Sequence, residues 1–230
     1  KWAMITKDNG EVSAVIVSAG SGRRMGGVSK PEIIIRGKTL LARVLEVFSA
    51  MPEITRIIVV CSGDNRARLE SAAAQAGIAA EFVRGGETRA DSVYAGVCAA
   101  GDGLVCVHDC ARPFIRQDDI RLLIAAAKRS GASSACRQVT DTVKYFPQSG
   151  TPETPDRSRL AAVQTPQCFF KADYLKARTL CGGEGFTDET ALLEKAGYRV
   201  EYVRCGAENI KLTQESDIPL AEFIAEKYGY

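Results

Sequence analysis

Histidine is almost missing from this chain: His108 is the only one in 230 residues, and there is a single tryptophan. An excess of charge of either sign is also missing. Lys and Arg number 30 against 28 Asp and Glu, a net charge of +2, so nothing global argues for nucleic acid or an acidic membrane surface as partner. No apolar run approaches the roughly 20 residues that a bilayer span needs, so no membrane association is expected. The polar start, Lys1 to Glu11, lacks the features of a signal peptide, and beginning at Lys rather than Met is expected to reflect trimming. No C-x-x-C pair occurs among the eight cysteines, which argues against a zinc site or a disulfide framework. Internal repeats and low-complexity segments are absent as well.

What is present is ordinary for a globular protein: 46% hydrophobic and 25% charged residues. A chain this long buries roughly three-quarters of its unfolded surface and needs no covalent or metal staple. The cysteines sit in apolar runs such as Arg56–Cys61 and Leu104–Val107, where they act as small buried hydrophobes, and a reducing cytoplasm is the expected compartment.

Strand-like and helix-like runs alternate. Val12–Val17 reads as a buried strand, and Thr39 as the cap of a helix with Leu40, Leu41, Val44, Leu45 and Phe48 on one face. Strands are expected at Arg56–Cys61, Ala80–Val83 and Leu104–His108, with helices near 65–76, 90–100 and 117–130. This alternation predicts an α/β fold, a three-layer α/β/α arrangement around a mostly parallel twisted sheet. Between 133 and 163 the pattern breaks. Two β-like runs, Ala135–Phe146 and Arg159–Val163, flank a stretch holding Pro147, Gly150, Pro152 and Pro155, which predicts a projecting β-arm at about 135–163. Helices at 171–180 and 187–196, β-runs at Arg199–Arg204 and Asn209–Thr213, and a closing helix at 216–228 complete one domain over 1–230.

The first strand runs into Ser18-Ala19-Gly20-Ser21-Gly22-Arg23-Arg24-Met25-Gly26-Gly27-Val28-Ser29-Lys30. Glycines directly after a buried strand let backbone N–H groups approach phosphate oxygens, and the cations add charge-assisted donors suited to a triphosphate. A Walker A loop cannot be laid on this segment. The dinucleotide fingerprint fails too, because Met25 stands where its third glycine belongs, and this excludes a dinucleotide-dependent oxidoreductase.

Ser18-Ala19-Gly20, Gly22, Arg24-Met25-Gly26 and a following lysine resemble the signature loop of the sugar-phosphate nucleotidyltransferases, most nearly the 2-C-methyl-D-erythritol 4-phosphate cytidylyltransferases. Gly85-Gly86-Glu87-Thr88-Arg89-Ala90-Asp91-Ser92-Val93, Val107-His108-Asp109-Cys110-Ala111-Arg112-Pro113, Asp141-Thr142-Val143-Lys144, Thr165-Pro166-Gln167-Cys168-Phe169, Thr187-Asp188-Glu189 and Asn209-Ile210-Lys211-Leu212-Thr213 follow in the family's order. Two positions differ from the family's habit: Lys30-Pro31 stands where Pro-Lys is common, and Glu87 where aspartate is familiar.

The resemblance implies an enzyme that joins CTP to a sugar-alcohol phosphate and releases pyrophosphate. The attacking phosphate oxygen is already anionic, so the chemistry asks for positioning and charge stabilisation rather than a general base. Arg24 and Lys30 then stabilise the transition state, with Lys211 and Arg157 as further catalytic cations. Ser18, Ala19, Gly20, Gly22, Gly86, Glu87 and Ser92 hold CTP, Gly85 and Gly86 letting the base lie against backbone. Arg112, Thr142 and Thr165 meet the second substrate. Asp109, at the carboxyl end of a strand, suits one Mg²⁺. Its bland alternative is a helix cap or a salt bridge to Arg112. His108 and Asp109 are neighbours on a strand and face opposite ways, which excludes a Ser-His-Asp triad and leaves His108 structural. Thr142 and Arg157 lie on the arm, which the resemblance takes across a homodimer. Two alternatives stay open: a pentitol-phosphate (ribitol 5-phosphate) cytidylyltransferase, and a non-catalytic CTP-binding homologue.

Overall fold

A computed structural model describes residues 10–20, 29–182 and 185–230. Chain order runs β1 (Val12–Val17), β2 (Ile34–Ile35), β3 (Lys38–Thr39), α1 (Leu40–Ser49), β4 (Arg56–Cys61), α2 (Arg66–Gln75), β5 (Glu81–Arg84), α3 (Arg89–Ala99) and β6 (Leu104–Asp109). It continues through α4 (Gln117–Ser130), β7 (Ala132–Gln138), β8 (Ala161–Phe170), α5 (Lys171–Cys181), α6 (Glu189–Lys195), β9 (Val200–Arg204) and α7 (Ile218–Tyr228). Thr39 caps α1 as its sequence position predicts, its Oγ1 accepting the Ala42 N–H at 3.1 Å.

Seven strands of the described residues form one sheet in the order β5-β4-β1-β6-β8-β7-β9. Every pairing is parallel except those of β8, which runs antiparallel between β6 and β7. Both faces are covered, so successive residues of a strand enter different cores. On β1, Val12, Ala14 and Ile16 join α1, α2, α4 and α7, while Val15 faces α3, α5 and α6. The expected α/β fold is therefore found. Gly96 lets α3 lie close on this sheet: a Cβ there would stand 2.4 Å from Val15 Cγ1 and 2.8 Å from Val60 Cγ2.

From β1 the chain moves to β4 and β5 on one side, then returns through α3 to β6 on β1's other flank. The crevice outside the carboxyl ends of β1 and β6 is thus a topological switch point, where open α/β sheets bind ligands.

Two expectations change. The runs flanking the expected arm belong to the main sheet as β7 and β8, so the projecting segment narrows to residues 139–160, braced by mutual 2.9 Å backbone hydrogen bonds between Tyr145 and Glu153. The Asn209–Thr213 run forms no strand. Its backbone is held instead by Leu212 N–H on the Ala111 carbonyl at 2.8 Å and by Arg112 Nη1 on the Asn209 carbonyl at 3.0 Å. All eight cysteines are free thiols; five are buried, whereas Cys98 is exposed. Among the described residues no helix is long and apolar enough to cross a membrane.

Candidate active site

A cleft of about 610 Å³ opens at the switch point. Ser18, Ala19 and Gly20 continue β1 into it, Gly86 and Glu87 enter from the turn between β5 and α3, Ser92 from the first turn of α3, and Asp109 closes β6. Lys30 and Lys211 line it from two segments distant in sequence. Gly22 and Arg24 lie outside the described residues.

Tight packing shapes the Gly85-Gly86 corner. A Cβ on Gly85 would fall 2.7 Å from Ser92 Oγ and 2.8 Å from Ala19 Cβ, and one on Gly86 would fall 2.4 Å from Asp91 Cβ. Only glycine leaves this backbone open to a ligand. Thr88 then starts α3 with a capping box, its hydroxyl accepting the Asp91 N–H at 3.1 Å. Asn65, buried, ties down both flanks of the glycine-rich loop: Nδ2 donates to the Ser18 carbonyl at 3.0 Å and to Ser29 Oγ at 3.4 Å.

Asp109 does not pair with Arg112, the bland alternative for it. Its Oδ1 accepts from Arg89 Nε at 3.2 Å and Nη2 at 3.1 Å, and its Oδ2 from Lys211 Nζ at 2.6 Å. Burial alone would raise the pKa of this carboxyl, but Arg89 and Lys211 outweigh it and hold it well below the usual carboxylate range. Arg89 also grips Glu189, Nη1 lying 2.9 and 3.1 Å from its two oxygens, and those carboxylates raise the guanidinium's pKa against the effect of burial. The sequence assigns Arg89 no more than a part in ordering the Gly85-Gly86 loop. Its place three residues after the Gly85-Gly86 turn, at the first residue of a helix, is the signal that would have found it.

Lys30 Nζ donates to the Leu212 and Thr213 carbonyls at 3.1 and 3.3 Å, which draws the loop side of the cleft onto the segment that carries Lys211. Other expected substrate residues do not line the cleft. Arg112 is buried, with Nη1 on the Asn209 carbonyl. Thr165 is buried too: its hydroxyl accepts the Asp109 N–H at 3.0 Å and lies 3.2 Å from His108 Nδ1. Thr142 and Arg157 are exposed on the arm, Arg157 Nη1 donating to the Thr140 carbonyl at 2.8 Å.

A family model, 2-C-methyl-D-erythritol 4-phosphate cytidylyltransferase, matches residues 12–227. The chain belongs to this family. A cytidylyltransferase of that description from Escherichia fergusonii is 40% identical over 225 residues, covering 94% of each chain. One from Geobacillus kaustophilus is 37% identical over 217 residues, 92% of this chain and 95% of the relative. The crystal structure of 4-diphosphocytidyl-2C-methyl-D-erythritol synthase from Anaerococcus prevotii superposes with a TM-score of 0.84 at 29% identity, covering 98% of this chain and 100% of the other.

Membership in the cytidylyltransferase family asks whether the cleft suits a divalent cation. Among the described residues no three His, Cys, Asp or Glu converge as a metal-binding group. Asp109, at the end of β6, and Glu87 are the two carboxylates of the cleft lining among those residues. Mg²⁺ commonly takes one or two carboxylates and completes its shell with phosphate oxygens and water. The donor set therefore fits a metal that arrives with a triphosphate, and does not fit one held by protein side chains alone.

Proposed function

We propose that this chain joins CTP and 2-C-methyl-D-erythritol 4-phosphate to give 4-diphosphocytidyl-2-C-methyl-D-erythritol and pyrophosphate, a step of non-mevalonate isoprenoid synthesis. A phosphate oxygen of the sugar alcohol forms a bond to the α-phosphorus of CTP, and the bond from that phosphorus to the β-phosphate bridging oxygen breaks. The observation that carries this reading is the meeting of Lys30, Arg89 and Lys211 in one cleft, the latter two on the carboxylate of Asp109, between the Ser18–Gly20 turn and the Gly86 corner.

Two anions must approach each other before anything else happens, and the cations offset that repulsion. Lys30 and Lys211 face the incoming phosphates from opposite segments of the chain. Gly85 and Gly86 leave main-chain groups bare at a corner whose close packing suits a pyrimidine better than a larger purine. The attacking oxygen needs no proton removed, which agrees with the burial of His108, the one histidine, outside the cleft lining. Asp109 would hold Mg²⁺, which when bound supplies charge neutralisation across the phosphates.

The second substrate's phosphate is assigned to Lys211, with Arg112 and Thr165 buried beneath it and holding the Asn209 carbonyl and the Asp109 N–H in place. Thr142 and Arg157 act from the arm of a second copy. Val143, Tyr145 and Phe146 on that arm are exposed, Phe146 at 72%, and a thin segment carrying apolar side chains is stabilised by a partner's surface. A homodimer of single nucleotidyltransferase domains, working in the cytoplasm, completes the reading. The test is pyrophosphate release with CTP and Mg²⁺, comparing 2-C-methyl-D-erythritol 4-phosphate with D-ribitol 5-phosphate at equal concentration. Preference for the first is expected. Preference for the second would move the enzyme to the pentitol phosphates, and CTP binding without turnover of either would make it a binding protein.

A further inference from the structure

Behind the cleft, and absent from its lining, lies Glu189. Only 4% of it is exposed, and its backbone N–H donates to Gln167 Oε1 at 3.1 Å. Gln167 is itself fixed by bonds from Nε2 to Ser134 Oγ and Thr190 Oγ1 at 3.2 and 3.3 Å. Glu189 is the first residue of α6, after its cap Asp188, where a helix dipole favours an anion. Arg89 is the first residue of α3, where the same dipole disfavours a cation. A guanidinium in that place needs carboxylates in front of it, and it has two: Nη1 on Glu189, and Nε with Nη2 on Asp109.

The four groups form a chain, Glu189, Arg89, Asp109 and Lys211, in which two anions alternate with two cations. Their charges cancel. Remove the carboxylate at the buried end and the cleft floor gains one positive charge, while Arg89 keeps one anchor in place of two.

We propose that Glu189 is a positioning residue, holding Arg89 on Asp109 from outside the cleft and setting, through its charge, how affinity is divided between metal-free CTP and its magnesium complex. This rests on the reading of the cleft as a CTP site. Metal-free CTP carries about twice the negative charge of the magnesium complex, so an extra positive charge in the floor favours the bare nucleotide more. In the native chain these four groups add no net charge, so the metal and Lys30 offset the phosphates.

Equilibrium dialysis of labelled CTP measures both affinities without turnover, once in EDTA and once in excess Mg²⁺. For Glu189→Gln the metal-free affinity is expected to rise and the preference for the magnesium complex to fall roughly three- to tenfold. Glu189→Asp keeps the charge and is expected to keep the native preference. Should Glu189→Gln fail to fold, Arg89→Gln carries the test with the opposite sign, since it removes the shared cation and raises the preference. Structural damage alone weakens both affinities together. Equal weakening, or an unchanged ratio, would overturn the proposal. A native chain that binds neither form would instead sink the CTP reading itself.

Discussion

His108 makes acid stability a one-residue experiment. Its imidazole is fully buried at the end of β6 beneath Phe48, the ring centroids 5.5 Å apart. Thr165 Oγ1 accepts the Asp109 N–H, so its own proton points at His108 Nδ1; the ring therefore carries its proton on Nε2 and donates it to the Arg112 carbonyl at 2.9 Å. Protonating Nδ1 would set two donors against each other. Burial, more than the nearby Arg112 and Lys211, depresses the ring's pKa from 6.5 to about 4. The unfolded chain thus binds a proton at higher pH than the folded one. Stability is unaffected above about 6.5 and falls as pH drops toward 4, by about 1.4 kcal/mol per unit and about 3 kcal/mol in all. Asp109 acts elsewhere on the scale: its depressed pKa gives stability that is present above an unfolded value of about 3.9 and lost only below it. Glu189, raised by burial, opposes His108 at the acid edge, and comparison with a His108 variant cancels that contribution. Urea unfolding of the native chain and of His108→Gln between pH 7.5 and 4.5 should show stabilities that converge as the medium becomes acidic. Proton NMR should show a single imidazole titrating near 4. A midpoint near 6.5, or parallel curves for the two proteins, would refute the burial argument.

Gly96→Ala is expected to cost about 1–3 kcal/mol from the clash with Val15 and Val60, against about 1 kcal/mol gained in helix propensity, and so to lower the Tm by a few degrees. Gly63→Ala, with nothing within 4 Å of the added carbon, is the control and should leave the Tm alone. Gly86→Ala pushes against Asp91 in the α3 capping box, so the KM for CTP should rise about tenfold and the Tm should fall by a few degrees; steady-state kinetics and a melting curve check both. Lys30→Ala should reduce kcat by roughly a hundredfold or more while CTP binding largely survives, and normal turnover would move its role elsewhere. Mixing Lys30→Ala with Arg157→Ala subunits should restore activity if the arm serves the neighbouring cleft, and no recovery would confine the arm to its own subunit.

Local chemistry made most of the fold legible, and long-range pairing hid the rest. Thr39 could be read as a cap, and α4 has the limits its periodicity predicts, because both signals lie within a few residues. β8 was harder. Pro166 argues against a central strand, since proline lacks an N–H for the ladder. The structure accommodates it where the β7–β8 register shifts between Ser134 and Cys136, so that Gln167 pairs on one side of the irregularity and Val163 on the other. No sequence pattern announces such a shift. Asn209–Thr213 has strand composition, yet its backbone is held by Ala111 and Arg112 about a hundred residues away and by Lys30 from farther still, and these tertiary bonds decide the outcome.

The site divides along the same line. Ser18–Gly20, Gly86 and Asp109 follow directly from strand ends, and the sequence named them all. Arg89 and Glu189 are a hundred positions apart, and what pairs them is the docking of two helix starts against one crevice. A net charge of +2 cannot reveal this arrangement. It is equally compatible with cations scattered over a solvated surface and with a cleft that gathers Lys30, Arg89 and Lys211, the latter two on the Asp109 carboxylate. Electrostatic work on a phosphate depends on which charges share a low-dielectric crevice, and only the folded chain fixes that. Glu189 shows the consequence: on the sequence alone it is a helix-start acid like Asp118, whereas burial beside Arg89 turns it into part of the charge balance of the cleft.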